Sequence, residues 1–192
     1  MDKTIEKLTI PEMGGIGVVM GIEFICMMIY GTGMVHVFSL LVLSAFLIYI
    51  AKIDLKHYII PNKLVLLLLA FRVISISGEV TVGLFTGSEN MEGILSTVLN
   101  YIFGSVMVIL LFSVVKIIFK NSIGWGDVKL FTVIGLYVGT SGIMSVLLIS
   151  SILALVYGMA NVIRKNYSMK DRMSFGPFIA AGTILSIIIC GC

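Results

Sequence analysis

Charged residues are scarce in this chain. Only 12% of its 192 residues are Asp, Glu, Lys or Arg, whereas soluble domains carry about 25%. Hydrophobic residues make up 59% of the sequence, and the mean hydropathy is +1.14. Because so little polar sequence cannot cover a water-soluble globule of this size, the composition excludes an ordinary soluble domain. It predicts an integral membrane protein.

Cysteine is also scarce, and its spacing suits neither metal binding nor cross-linking. The chain has 3 cysteines: Cys26 lies within an apolar run, and Cys190 and Cys192 lie at the C-terminal end. No Cys-x-x-Cys pair exists, which excludes a zinc ribbon. The spacing gives no support to a disulfide framework.

Long apolar runs make up most of the sequence. A bilayer core about 30 Å thick requires roughly 20 apolar residues per helix. The runs cover residues 14–32, 34–51, 62–78, 94–118, 128–141, 143–163 and 175–191. They predict an all-α polytopic membrane protein that forms one membrane domain with about seven transmembrane helices. The glycine-flanked break at 31–33 also fits one bent helix followed by a half-span.

The basic residues indicate how the helices are oriented, because Lys and Arg are retained on the cytoplasmic side of short loops. All of them except Arg72 lie on or beside four segments: 1–13, 52–61, 116–127 and 164–174. The acidic stretch 79–93 then becomes an outer loop, and the predicted orientation is N-in/C-out. No small-residue cleavage pattern follows the first apolar run, so we expect a retained first span rather than a cleaved signal peptide.

This topology brings two aspartates to the cytoplasmic membrane boundary. Asp54 ends the second span and Asp127 begins the fifth, each at a junction between a helix and a loop. Carboxylates near the bilayer are rare and costly, and they are functional candidates by default. Alternatively, Asp127 is only the N-cap of its helix, and Asp54 is an ordinary interfacial anion among lysines.

Two carboxylates in one partly desolvated site share a proton, because like charges separate their two ionisation steps. One ionised and one protonated carboxyl is the arrangement that aspartic hydrolysis uses. The base takes a proton from water while the acid donates one to the scissile carbonyl oxygen. Gly124 and Gly126 would let the backbone approach a substrate closely, and Pro61 helps start the third helix.

Three short motifs in this region resemble a known family. They are Gly124-Trp125-Gly126-Asp127 continued by Val128-Lys129-Leu130, Asp54 followed by Ile60-Pro61-Asn62, and Phe175-Gly176-Pro177-Phe178. Together, and in this order, they resemble the signature of the type IV prepilin peptidases. These are membrane aspartic proteases of the Gly-x-Gly-Asp group. The resemblance covers about residues 38–190.

The resemblance implies that Asp54 and Asp127 are a catalytic pair that removes the N-terminal leader of prepilins or pseudopilins. Cleavage would take place at the cytoplasmic face of the inner or plasma membrane. The resemblance implies supporting or substrate-binding roles for Gly124, Gly126, Lys129, Pro61, Asn62, Gly176 and Pro177. Lys129 has two interpretations: it lies near Asp127 and favours its ionised state, or it is a lysine that snorkels to the interface.

The same resemblance implies a domain layout. Residues 1–13 form a cytoplasmic segment, 14–33 an extra transmembrane span, and 34–192 the peptidase domain with its six-helix family core. Many relatives carry a cytoplasmic Cys-x-x-Cys insertion associated with N-methylation of the pilin. This chain lacks it, so we expect a short form without methyltransferase activity. We expect no metal or other cofactor and no nucleic-acid partner; the expected partners are prepilins and membrane lipid.

Three other functions stay open at this point. A small carboxylate-based ion or proton transporter would place its acids near the midplane on broken helices, commonly in repeated halves. A catalytically inactive scaffold of a pilus or secretion complex would tolerate asparagine at both positions. A protease that cuts within a transmembrane helix would leave products truncated inside that helix.

Two further charged residues, Glu23 and Arg72, lie inside apolar runs. Because an isolated charge in a bilayer is expensive, such residues usually face the bundle and find partners. We hypothesise that Glu23 and Arg72 pair with each other. His36 is expected at the outer interface rather than in a site.

Overall fold

The computed structural model describes residues 10–31, 33–87, 90–118, 124–163 and 174–191, with the backbone alone at 10–13. Within these ranges the chain is helical and contains no strand. The helices are α1 (Ile10–Tyr30), α2 (Met34–His57), α3 (Asn62–Thr86), α4 (Met91–Ile118), α5 (Trp125–Ile163) and α6 (Gly176–Cys190). Four of them, α2 to α5, are long and apolar enough to cross a membrane. The all-α prediction is confirmed.

The third helix extends well beyond its apolar run and corrects the predicted outer loop. The sequence assigned 79–93 to that loop, but α3 continues to Thr86 and ends at Gly87, whose φ of 61° is left-handed. Glu79 therefore lies inside a helix. It is accommodated there because its carboxylate accepts a hydrogen bond from Arg72 Nη1 at 2.6 Å, and a paired charge loses much of the cost of burial.

The fifth helix joins two predicted spans and doubles back between them. The sequence predicted separate runs at 128–141 and 143–163, whereas α5 covers both, with non-helical backbone at Gly139. A straight helix of 39 residues would be about 58 Å long, nearly twice the bilayer core. Instead, Phe131 lies 6.1 Å from Phe175 and Tyr157 lies 5.3 Å from Phe178, measured between ring centroids. Both arms of α5 therefore return to the end of the bundle where α6 begins.

Gly139 is a position that only glycine fits. Its φ of 70° and ψ of −167° lie in a region essentially reserved for glycine. A Cβ there would lie 2.5 Å from Asn100 Nδ2. Asn100 also accepts a hydrogen bond from the Thr140 N–H at 3.2 Å, so α4 holds the reversal in place.

We predict that Gly139→Ala lowers the free energy of unfolding by at least about 2 kcal/mol, through backbone strain and overpacking. Gly21→Ala is the matched control, because a Cβ at Gly21 meets nothing within 4 Å. The control should be neutral or slightly stabilising. Unfolding in detergent micelles measures both variants. Equal stability of the two would contradict the assignment of a glycine-specific reversal.

The first helix, α1, packs onto the bundle through α2 and α6. Glu23 is fully buried and accepts a hydrogen bond from the Ser44 hydroxyl at 2.7 Å. The Tyr30 hydroxyl donates to the carbonyl of Ile189 near the end of α6, at 3.0 Å. The hypothesis that Glu23 pairs with Arg72 is therefore wrong: Glu23 pairs with a serine of the neighbouring helix, and Arg72 pairs within its own helix.

Arg72 is the centre of a polar cluster at the opposite end of the bundle from the start of α6. It is fully buried, and its Nε donates to the Leu136 carbonyl at 2.8 Å. The guanidinium carbon lies 4.3 Å from the Tyr101 ring centroid. His36 stacks on the same ring and lies 3.3 Å from Glu79 Oε1. His36 thus belongs to this polar cluster.

Candidate active site

The C-terminal turn of α2 positions Asp54. The helix ends because Tyr58 adopts a left-handed conformation, with φ 53°, and its N–H donates to the Asp54 carbonyl at 2.8 Å. This closure is a common helix C-terminal motif. Pro61 then caps the start of α3. As a result, the Asp54 side chain lies one turn before a fixed reversal and is only 5% exposed.

The N-terminus of α6 holds the Asp54 carboxylate. The Ser174 hydroxyl donates to Asp54 Oδ2 at 2.6 Å, and the Gly176 N–H donates to the same oxygen at 2.8 Å. A Cβ on Gly176 would lie 2.7 Å from that oxygen, so only glycine permits this approach. The predicted supporting residue Gly176 therefore touches Asp54 directly. Pro177 occupies the first turn of α6, where its fixed φ suits a helix start.

Asp127 lies in the first turn of α5 and is half-buried. It is the third residue of the helix, and Gly124 precedes the helix and accepts the first backbone bond, from the Val128 N–H. The alternative that Asp127 is only the N-cap is therefore wrong. A Cβ on Gly124 would lie 2.9 Å from Asp127 Oδ2, so this glycine leaves room for the carboxylate.

The two carboxyl groups lie close enough for the charge of Asp54 to act on Asp127. They come from helices far apart in sequence, and the Asp54 carboxylate is held by α6. Aromatic contacts support this arrangement: Phe131 of α5 stacks on Phe112 of α4 at 5.4 Å and tilts against Phe175 at 6.1 Å. Asp54 and Asp127 thus both lie at the end of the bundle where α6 begins.

The loop between α2 and α3 packs against the glycine turn of α5. A Cβ on Gly126 would lie 3.1 Å from Ile60 Cβ, so Gly126 lets the buried Ile60 side chain approach closely. Lys129 donates to the Asn62 side-chain oxygen at 3.1 Å. This bond links α5 to α3. The structure thus gives Lys129 a partner other than Asp127.

Trp125, the only tryptophan of the chain, begins α5 and is exposed. The ammonium of Lys116 lies 3.2 Å from its ring centroid, which is a cation–π contact between the end of α4 and the start of α5. Residues 121–123, which precede the glycine motif, lie outside the described residues. Within the described ranges, no three His, Cys, Asp or Glu side chains group as metal ligands would.

Sequence comparison places this geometry in a family. The model of the type IV leader peptidase family matches residues 41–159, which include both aspartates. The chain belongs to the type IV leader peptidase family. The resemblance seen in the motifs is thereby confirmed.

Three relatives of this chain are named prepilin leader peptidase/N-methyltransferase. The chain is 27% identical to that of Bacillus subtilis (strain 168) over 157 residues, covering 80% of this chain and 56% of the relative. It is 29% identical to that of Xanthomonas campestris pv. campestris over 148 residues, covering 74% and 47%. For Pectobacterium carotovorum subsp. carotovorum the identity is 27% over 153 residues, covering 79% and 51%. The chain spans about half the length of these relatives. No solved structure matches it significantly.

One contact of the site was not predicted from the sequence. Ser174 was not among the expected site residues, yet its hydroxyl makes the shorter of the two bonds to Asp54 Oδ2. The only signal was its position immediately before Phe175-Gly176-Pro177. Of the remaining predicted residues, only Gly124 is seen beside a carboxyl, that of Asp127. Gly126, Asn62 and Pro61 lie where α3 and the loop before it meet α5.

Proposed function

We propose that the chain is a membrane-embedded aspartic endopeptidase that removes the N-terminal leader of type IV prepilins or pseudopilins. Asp54 and Asp127 act as the catalytic pair at the cytoplasmic membrane face. The observation that carries the proposal is the convergence of these two aspartates, from separate helices, within a chain of the type IV leader peptidase family. The names of its relatives supply the substrate class.

The mechanism needs one carboxylate and one carboxylic acid around a water molecule. The carboxylate takes a proton from the water as its oxygen attacks the scissile carbonyl carbon. The carboxylic acid gives its proton to the carbonyl oxygen, forming a neutral gem-diol. As the C–N bond breaks, the aspartic acid that took its proton from water gives that proton to the leaving amine. The other aspartate takes a proton from one gem-diol hydroxyl, so the leader departs with a new carboxylic acid and the pair again holds one proton. Like-charge repulsion between Asp54 and Asp127 disfavours the doubly ionised pair and so keeps one proton in the site.

The location of the carboxyls also bears on the main rival function. A transporter of this size would bind its ion near the bilayer midplane. Asp54 and Asp127 instead lie at helix ends, beside Gly176 at the start of α6 and the loop residue Ile60. This position suits a substrate cut beside its hydrophobic helix rather than within it. The same position argues against a protease that cuts in the middle of a transmembrane helix. Only an experiment can distinguish an active leader peptidase from an inactive scaffold.

The test is leader removal in membranes that contain both this protein and a prepilin with its leader and hydrophobic helix. Gel mobility follows the conversion, and N-terminal sequencing of the product identifies the cut. We expect a single cut at the leader junction with the wild type and none with Asp54→Asn or Asp127→Asn. Glu92→Gln is the matched control, because Glu92 is an exposed acid at the start of α4, and it should cut normally.

The assay separates the leader peptidase from its rivals. A cut inside the hydrophobic helix would replace the leader peptidase with a mid-span protease. Normal cutting by either asparagine variant would remove that residue from the catalytic pair. Absence of any cut with well-accumulated wild-type protein would favour the scaffold or the transporter.

A further inference from the structure

The Asp54 carboxylate is held by two polar donors, and one of them, Ser174, lies outside the three family motifs. Two donors converge on Oδ2: the Ser174 hydroxyl at 2.6 Å and the Gly176 N–H at 2.8 Å. Ser174 is 8% exposed and Asp54 is 5% exposed, so this contact is shielded from competing solvent. A hydroxyl-to-carboxylate distance of this length is typical of a charge-assisted hydrogen bond, which is about twice as strong as a neutral one.

Both donors bind the same oxygen, Oδ2, and together they restrict the orientation of the Asp54 carboxyl group. An aspartate side chain turns about two bonds, and one donor on one oxygen leaves the carboxyl free to rotate. A second donor from a different direction fixes the plane of the group. With Oδ2 held by both donors, Oδ1 is the oxygen of the carboxylate that they leave unbound.

We propose that Ser174 is a positioning residue of the site: its hydroxyl, together with the Gly176 N–H, fixes the Asp54 carboxyl so that Oδ1 is presented to the attacking water. This inference rests on the proposed function, since it assigns the water to Asp54. Ser174 does not touch substrate, and it acts only through the carboxylate that it orients. Preorganised groups of this kind accelerate catalysis by removing misaligned conformers before the reaction begins.

The two donors differ in how they can be tested. A substitution at Gly176 adds a Cβ 2.7 Å from Oδ2 and displaces the carboxylate, so it mixes steric and electronic effects. Ser174 offers cleaner variants. Ser174→Ala removes the hydroxyl, Ser174→Thr keeps it, and Ser174→Cys keeps a similar volume but supplies only a weak donor.

The experiment uses the purified full chain in detergent micelles with a prepilin that carries its leader and hydrophobic helix. The kcat and KM of leader removal are measured for the wild type, the three Ser174 variants and Asp54→Asn. We expect Ser174→Ala to lower kcat by about 10- to 100-fold, the loss of one hydrogen bond to a charged group, with KM within twofold of the wild type. Ser174→Thr should keep at least half of the wild-type kcat, and Ser174→Cys should fall between Thr and Ala.

Several results would overturn the positioning role. One is a kcat of Ser174→Ala within twofold of the wild type while Asp54→Asn is inactive. Another is a rise in KM at unchanged kcat, which would make Ser174 a substrate contact. A third is an equal loss in the Ala and Thr variants, which would make packing rather than the hydroxyl responsible.

If Ser174→Ala does not accumulate, the comparison of Ser174→Thr with Ser174→Cys decides, because equal kcat values for these two variants contradict the positioning role. If Asp54→Asn cleaves normally, the proposed function itself fails, and that outcome is distinct from the others.

Discussion

Exchanging either aspartate for asparagine is expected to lower kcat for leader removal by about 1,000- to 10,000-fold. Losses of this order accompany removal of a group that acts in the chemical step. Asparagine keeps nearly the same volume but can neither take a proton from water nor donate one as a carboxylic acid. The helix ends that carry Asp54 and Asp127 are held by backbone bonds to Tyr58 and Val128, so the fold should survive. The measurement is the single-turnover rate with purified protein and prepilin.

The control for this loss is the amount and melting temperature of each variant in micelles, which should match those of the wild type. Glu92→Gln should keep the wild-type rate, since its exposed carboxylate lies on α4. A variant that folds normally and loses less than tenfold in rate would contradict the assigned role of that aspartate.

The second large effect concerns stability rather than chemistry. Glu79→Gln is expected to lower the free energy of unfolding by about 3–5 kcal/mol, because it leaves the buried Arg72 guanidinium without a counter-charge. Arg72 is fully buried, and the Glu79 side chain is 17% exposed. Arg72→Leu combined with Glu79→Leu should recover most of the loss, since replacing both partners removes the uncompensated charge. Unfolding in detergent micelles measures both variants against the wild type.

The variant Glu23→Gln tests whether Arg72 pairs with Glu79, as in the structure, or with Glu23, as the sequence suggested. Glu23 is hydrogen-bonded to Ser44, and glutamine also offers an oxygen to that hydroxyl. We therefore expect Glu23→Gln to cost much less stability than Glu79→Gln. The reverse order would contradict the Arg72–Glu79 pair as the dominant interaction.

The site was predictable from the sequence because two independent signals agreed. Hydropathy and the distribution of Lys and Arg assigned Asp54 and Asp127 to the same face, and the glycine and proline motifs around them matched one family. Neither signal depends on knowing the tertiary contacts. The break in α5 was also predictable in part, since its two arms correspond to the separate apolar runs 128–141 and 143–163. The reversal itself lies at Gly139, inside the first run rather than between the two.

Partner choice inside the bundle was harder to predict. The hydropathy pattern predicted that Glu79 lies in a loop, because the residue is charged. Glu79 lies seven residues after Arg72, however, and therefore on the same face of a helix. That spacing was a usable signal for the pair. The Glu23–Ser44 bond and the Ser174–Asp54 bond carry no such signal, because each joins residues whose proximity is set by how separate helices pack. Span count and orientation stay predictions.

If Asp54 and Asp127 act as one catalytic unit, the kcat of the double variant Asp54→Asn/Asp127→Asn reveals it most directly. It is compared with each single variant in an assay sensitive enough to follow product over days. Residues that act as a unit give non-additive losses, so removing one costs as much as removing both. We expect the kcat of the double variant to lie within about threefold of that of either single variant. A loss equal to the product of the two single losses would mean that the aspartates act independently, and it would contradict the paired mechanism.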